Sequence, residues 1–189
     1  VNTLGFRENG TILGLSTDGD GFVASLEADG LPPRPKTRAL LLGAGGAARS
    51  VAAALQDRGI EVCITNRTQE RATALAAALP GAKVLPWPVW ERELGAFTLL
   101  VNTTSLGMEG GPDPMFNPSL RHAPQDMVVA DIVYVPRMTP LLASARQREL
   151  RTVGGLGMLL HQARLGFREW FGVDPQVDEA TQAHVLGSL

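Results

Sequence analysis

Two spacings of apolar residues alternate along most of the chain. From residue 38 onward, short apolar runs at 39–42, 60–65, 83–85, 98–102, 127–133 and 151–153 read as strands. Between them the apolar positions recur every three to four residues, which predicts helices over 47–58, 69–79, 139–148 and 156–171, with a short one near 89–94. Strands that are apolar on both faces and alternate with helices imply a parallel sheet covered on both sides, with right-handed crossovers. The fold class read from this rhythm is α/β, a doubly wound, Rossmann-like parallel sheet.

The flanks follow other rhythms. Residues 1–16 form two extended runs around Glu8-Asn9-Gly10, a hairpin signal. Thr17-Asp18 reads as the cap of a helix to about Asp29, with Phe22, Val23 and Leu26 on one face. Leu31-Pro32-Pro33-Arg34-Pro35 is a stiff linker and the clearest boundary in the chain. Residues 107–118 are rich in Gly and Pro and follow a strand end, where open α/β sheets bind ligands. Gly172 stops the long helix, and Asp174 with Pro175 reads as the start of a terminal helix to about Leu186.

Composition narrows the function classes. The chain has 189 residues, 44% of them apolar, which marks it as globular. A formal net charge of -2 leaves no footprint for nucleic acid. No apolar run approaches the roughly 18 residues of a membrane span. The single Cys63 excludes an internal disulfide, fits a cytoplasmic location, and reads as a buried structural thiol. His161 and His184 lack a second ligand at metal spacing and read as solvated or capping residues, so no metal is expected. The chain opens on Val1 inside an extended run, and further sequence is expected upstream.

The candidate chemistry gathers at strand ends. Gly43-Ala44-Gly45-Gly46-Ala47-Ala48-Arg49 joins a strand to a helix. Glycines there let a ligand approach the backbone, and the helix N-terminus behind them suits a diphosphate. The next strand ends in Asn66-Arg67-Thr68, with Arg71 one helical turn on. An NAD site places a carboxylate near this point for the ribose 2′-hydroxyl; guanidinium groups suit a 2′-phosphate instead, so the coenzyme is read as NADP. Thr68 is free in this reading to cap the next helix or to meet the phosphate. Asp18 between Thr17 and Gly19 reads first as a helix-cap residue, with a functional carboxylate as the alternative. Asn102-Thr103-Thr104-Ser105 reads as a set of coenzyme contacts or as loop caps. Tyr134 reads as a substrate-facing hydroxyl or a core-edge tyrosine. Gly154-Gly155 permits close approach to a ring or makes a turn. Gln162 interrupts the apolar stripe of its helix and needs a partner.

Taken together the motifs resemble the shikimate dehydrogenase family. The resemblance is carried by Val1-Asn2-Thr3, Ser16-Thr17-Asp18-Gly19, the glycine turn to Arg49, Asn66-Arg67-Thr68, Asn102 to Met108, Asp131 to Tyr134 with Thr139-Pro140-Leu141, and Gly155 to Gln162. It implies NADPH-dependent reduction of 3-dehydroshikimate to shikimate in aromatic amino-acid (chorismate) biosynthesis. It places Asn2, Asp18, Tyr134 and Gln162 against the substrate, with Asp18 as half of a catalytic Lys–Asp pair. It assigns Gly43, Ala44, Gly45, Gly46 and Ala47 to the diphosphate, Asn66, Arg67, Thr68 and Arg71 to the 2′-phosphate, and Ile132 and Gly155 to the nicotinamide end. It implies a remnant of a substrate-binding α/β domain with its linker helix over 1–35, the NADP-binding domain over 36–155, and helices packing back over 156–189. A small-molecule substrate is expected, and monomer and homodimer both stay open. Ser16 stands where the family usually has Asn. The family's serine pair and catalytic lysine belong to an amino-terminal region outside these residues, and neither Lys36 nor Lys83 replaces that lysine. A quinate/shikimate relative of broader specificity and a non-catalytic NADP-binding module are the alternatives. The lack of a carboxylate at 66 or 67 argues against the first, and an upstream lysine-bearing segment would exclude the second.

Overall fold

The computed structural model describes residues 1–187. An antiparallel hairpin, β1 (Thr3–Phe6) and β2 (Ile12–Leu15), leads into helix α1 (Asp18–Ala28). The hairpin turns at Gly10, whose φ of 82° lies in the left-handed region, and Asn9 Oδ1 accepts from the Thr11 amide at 3.0 Å. Thr17 stands at the N-cap of α1, but its side chain caps nothing. Its amide and hydroxyl instead donate to Asn2 Oδ1 at 3.0 and 3.2 Å, which ties α1 to the hairpin.

After the proline linker come β3 (Arg38–Leu42), α2 (Gly46–Gln56), β4 (Glu61–Thr65), α3 (Gln69–Ala77) and β5 (Lys83–Val84). Two 3₁₀ turns, Trp87–Val89 and Leu94–Ala96, replace the single short helix expected there. Then follow β6 (Leu99–Asn102), β7 (Val128–Asp131), α4 (Pro140–Gln147), β8 (Arg151–Val153), α5 (Gly155–Phe171) and α6 (Glu179–Leu186). The larger sheet has the order β5-β4-β3-β6-β7-β8, with every pair parallel. This is the doubly wound order, with its reversal between β3 and β6.

Two apolar cores cover the sheet. One packs Leu41, Ile64 and Val101 against Val51, Leu55 and Leu75; the other packs Leu40, Leu100 and Val129 against Trp90, Leu141 and Leu142. Residues of β3 alternate between the two, as the two-residue period of a strand requires.

Helix α1 is wedged between α2 and α5, and two glycines permit it. A Cβ at Gly19 would collide with the Ser50 carbonyl of α2, and one at Gly21 would lie 2.6 Å from the Gln162 amide nitrogen of α5. The terminal helix starts later than Asp174 and Pro175 suggest. Asp178 is its N-cap, accepting from the Thr181 amide at 2.8 Å, while Asp174 is taken by a two-point ion pair with Arg164 of α5 at 2.6 Å.

Candidate functional site

The strand register places four carboxyl ends on one rim. Leu42 lies opposite both Thr65 and Asn102, and Asn102 lies opposite Asp131. The glycine turn leaves this rim from β3. Gly43 has φ 111°, and a Cβ there would stand 2.8 Å from Thr103 Oγ1 and Thr104 Cγ2, so conformation and space both require glycine. At Gly45 and Gly46 the position a Cβ would take has no neighbour within 4 Å. The space above the turn is open, and Ala44 and Ala47 flank it with small side chains. Gly45 caps α2 with no side chain, and the first turn of α2 holds no acidic residue. Its amide N–H groups therefore face that space without a side-chain acceptor, an arrangement that suits an anion.

The neighbouring strand end supplies positive charge. Asn66 Nδ2 donates to the Thr68 carbonyl at 2.8 Å and so shapes the turn. Arg67, Thr68 and Arg71 are exposed. Neither arginine enters an ion pair among the described residues, and Thr68, at the N-cap of α3, makes no cap bond with its hydroxyl. Two guanidinium groups and a hydroxyl are thus available beside the open space above the glycine turn. The residues present fit a nucleotide that carries an extra phosphate on its ribose.

A second cluster brings together residues far apart in sequence. Asn2 Nδ2 lies 2.8 Å from Asp18 Oδ1, 3.0 Å from Thr17 Oγ1 and 3.4 Å from Gln162 Oε1. Asp18 is the first residue of α1 rather than its cap, and its Oδ2 has no hydrogen-bond partner among the described residues. One carboxylate oxygen is therefore held by Asn2 and the other is open to a cation or a hydroxyl. Ser16 Oγ and Ser50 Oγ lie 2.7 Å apart, which sets this cluster beside the first turns of α2.

Between the glycine turn and α5 runs a buried polar network that the sequence motifs do not reveal as a unit. Asp131 is 2% exposed. Its Oδ1 accepts from Asn102 Nδ2 and from the Val133 amide, each at 3.0 Å, and its Oδ2 accepts from Thr139 Oγ1 at 2.7 Å. The bond to Val133 turns the chain and ends β7 at Asp131, two residues short of the apolar run. Asn102 Oδ1 accepts from the amide and hydroxyl of Thr104 at 3.1 and 2.6 Å, so this motif is a loop cap. Burial pushes the Asp131 carboxyl up to about 6, against the opposing pull of hydrogen bonds from Thr139, Val133 and Asn102.

The remaining candidates fall elsewhere. Gly155 is buried, and a Cβ there would collide with the Ile132 carbonyl, so its glycine is explained by packing of α5 on the turn after β7. Ile132 is half-buried beside it. Tyr134 is 39% exposed and shares no hydrogen bond with the Asn2–Asp18–Gln162 cluster. It lines a cavity of about 800 Å³ with Gly154, Gly155, His161 and Gln182. His161 is half-buried: its Nδ1 is buried without a hydrogen-bond partner among the described residues, and burial, then the Arg164 charge, holds its pKa below the ordinary value. Cys63 is half-buried, and burial raises its thiol. Lys36 precedes β3, and Lys83 opens β5 and pairs with Glu61 at 3.5 Å, so both lie at the amino edge, away from the rim. Among the described residues no group of three metal-ligating side chains occurs, and no helix is long and apolar enough to cross a membrane.

Comparison with known proteins gives a consistent result. Residues 28–155 match the family model described as shikimate / quinate 5-dehydrogenase, and residues 155–183 match the shikimate 5′-dehydrogenase C-terminal domain. The chain is 55% identical over 189 residues to a shikimate dehydrogenase (NADP(+)) of Gluconobacter oxydans, covering 100% of this chain and 67% of that one. It superposes on the shikimate 5-dehydrogenase of Thermus thermophilus, solved with NADP(H) and shikimate, with a TM-score of 0.81 at 35% identity, over 97% of this chain and 66% of that one. The quinate dehydrogenase of Corynebacterium glutamicum, solved with NAD, gives a TM-score of 0.84 at 30% identity, over 98% and 67%. The chain thus spans about two thirds of the length of the relatives it matches. Relatives of both coenzyme types share the fold, so the fold alone does not choose between NADP and NAD.

Proposed function

The chain belongs to the shikimate/quinate 5-dehydrogenase family, and from that premise we propose that it serves as the NADP-binding and part of the substrate-binding portion of an NADP-dependent shikimate dehydrogenase. The observation that carries this reading is the Asn2–Asp18–Gln162 cluster, which joins the start of the hairpin to α1 and α5, together with exposed arginines at the end of β4. When bound, NADPH supplies the hydride that reduces the ketone of 3-dehydroshikimate.

The roles follow from the chemistry of each group. The backbone from Gly43 to Ala47 would hold the diphosphate. Asn66 shapes the turn from which Arg67, Thr68 and Arg71 would take the 2′-phosphate. Ile132 and Gly155 would border the nicotinamide end through their backbone. Asn2, Gln162 and Tyr134 would meet the substrate's hydroxyls and carboxylate. A ketone that accepts hydride becomes an alkoxide, which needs a proton and nearby positive charge. Asp18, fixed on one oxygen by Asn2, presents its other oxygen to orient a cationic proton donor such as the lysine that the family resemblance implies. Residues 36–155 would form the coenzyme domain, with residues 1–35 and 156–189 belonging to the substrate side. The NAD-linked quinate branch is disfavoured, because no carboxylate stands at Asn66 or Arg67 to accept from a ribose hydroxyl.

The test is a matrix of assays on the complete gene product, with shikimate and quinate each offered with NADP and NAD. Turnover concentrated on shikimate with NADP is expected. Preference for quinate with NAD, or no turnover with any pair, would overturn the proposal.

A further inference from the structure

The first contacts around the rim do not use its most buried charge. Asp131 is 2% exposed, so it meets no ligand directly, yet its two oxygens tie together three separate segments, accepting from the Asn102 side chain, the Val133 amide and the Thr139 hydroxyl. Through Asn102 it reaches the loop after β6, where Asn102 Nδ2 also donates to the Leu106 carbonyl at 2.9 Å. That loop includes Thr103, whose hydroxyl donates to the Leu42 carbonyl at 2.7 Å and stands against Gly43 of the glycine turn. Through the Val133 amide Asp131 fixes the turn after β7, onto which Gly155 packs so closely that no side chain fits. Through Thr139, whose Oγ1 also accepts from the Leu142 amide at 3.3 Å, it holds the start of α4.

Resting on the coenzyme reading above, we propose that Asp131 is a positioning residue for the nicotinamide half of the coenzyme. Its carboxylate sets the distance from the glycine turn to the turn at Ile132 and the N-terminus of α5. A carboxylate suits this task because it accepts at both oxygens and donates at neither, and all three partners here are donors. The partners are uncharged, so Asp131 is held by geometry rather than by an ion pair. The adenosine end depends on a different strand end, that of β4, with which Asp131 itself makes no hydrogen bond among the described residues.

The separation between the two ends gives the test. NADPH and adenosine 2′,5′-bisphosphate, which lacks the nicotinamide half, are titrated into this chain and into Asp131→Ala, Asp131→Asn and Thr139→Val. Asp131→Ala is expected to weaken NADPH about tenfold while leaving the bisphosphate within about twofold, the scale of losing buried hydrogen bonds that act on one end of a ligand. Asp131→Asn, which keeps one oxygen for Asn102 and Val133, is expected to recover part of the loss. Should Asp131→Ala fail to fold, Thr139→Val, which removes one donor and keeps the shape, is expected to show the same selective loss at about threefold. Equal losses for both ligands, or no loss for either, would overturn the positioning role while leaving the coenzyme site in place. If the unmodified chain bound neither ligand, the coenzyme reading would fall and this proposal with it.

Discussion

Asn2 and Asp18, sixteen residues apart, are joined by a 2.8 Å hydrogen bond between Asn2 Nδ2 and Asp18 Oδ1. The bond spends one carboxylate oxygen on a neutral donor and aims the other away from it. Asp18→Asn keeps the shape of the helix start and removes the charge. In the complete gene product we expect this change to lower kcat by about a hundredfold or more, the scale of losing a group that assists proton transfer. NADPH affinity is expected to stay within about twofold, because Asp18 lies on α1 and not on the glycine turn proposed to hold the diphosphate. Steady-state kinetics beside a coenzyme titration check this, and near-normal turnover would return Asp18 to a structural role.

The wedge of α1 between its neighbours gives a stability prediction. A methyl group at Gly19 meets the Ser50 carbonyl, a backbone atom that cannot rotate away. Gly19→Ala is expected to cost about 1–3 kcal/mol, as overpacking does. Chemical denaturation followed by far-UV circular dichroism measures it. An unchanged midpoint would show that the two helices have room to part.

The buried carboxylate predicts how stability depends on pH. The Asp131 pKa is pushed up to about 6 in the folded chain, above the ordinary 3.8. The folded state therefore binds this proton more tightly than the unfolded state does. The stabilisation is fully present below the ordinary value and is lost as pH rises through about 6. Asn at this position carries no such proton. The stability of the wild type relative to Asp131→Asn is expected to fall by about 3 kcal/mol between roughly pH 3 and pH 7, as an order of magnitude. Paired urea titrations across that range check it. A difference that stays constant, or that grows with pH, would contradict the burial argument.

Much of the architecture is legible in the sequence because it rests on local spacing. Strand β8 falls at 151–153 as the apolar run predicts, and the other sheet strands differ from their runs by at most a few residues at the ends. The glycine turn is equally plain, since φ 111° at Gly43 is a demand that a glycine announces. What the residues alone leave open depends on distant partners. Thr17 looks like a cap, but Asn2, fifteen residues away, takes its hydroxyl. Asp174 looks like a helix start until Arg164 of α5 is placed beside it. Asp131 interrupts an apolar run, and nothing nearby shows that Asn102, 29 residues earlier, will turn toward it. Its one local sign is a threonine-proline pair eight residues on, where Thr139 both caps α4 and donates to the carboxylate.

The coenzyme assignment depends most on Arg67, which stands exposed and, among the described residues, without an ion pair where a carboxylate would mark an NAD site. Calorimetric titration of this chain and of Arg67→Ala with NADPH and NADH is the direct measurement. The wild-type chain is expected to prefer NADPH, and Arg67→Ala to lose about 1–3 kcal/mol of NADPH binding, the scale for one charge-assisted partner, with NADH little changed. Equal affinity of the unmodified chain for the two coenzymes, or equal losses on mutation, would contradict the account.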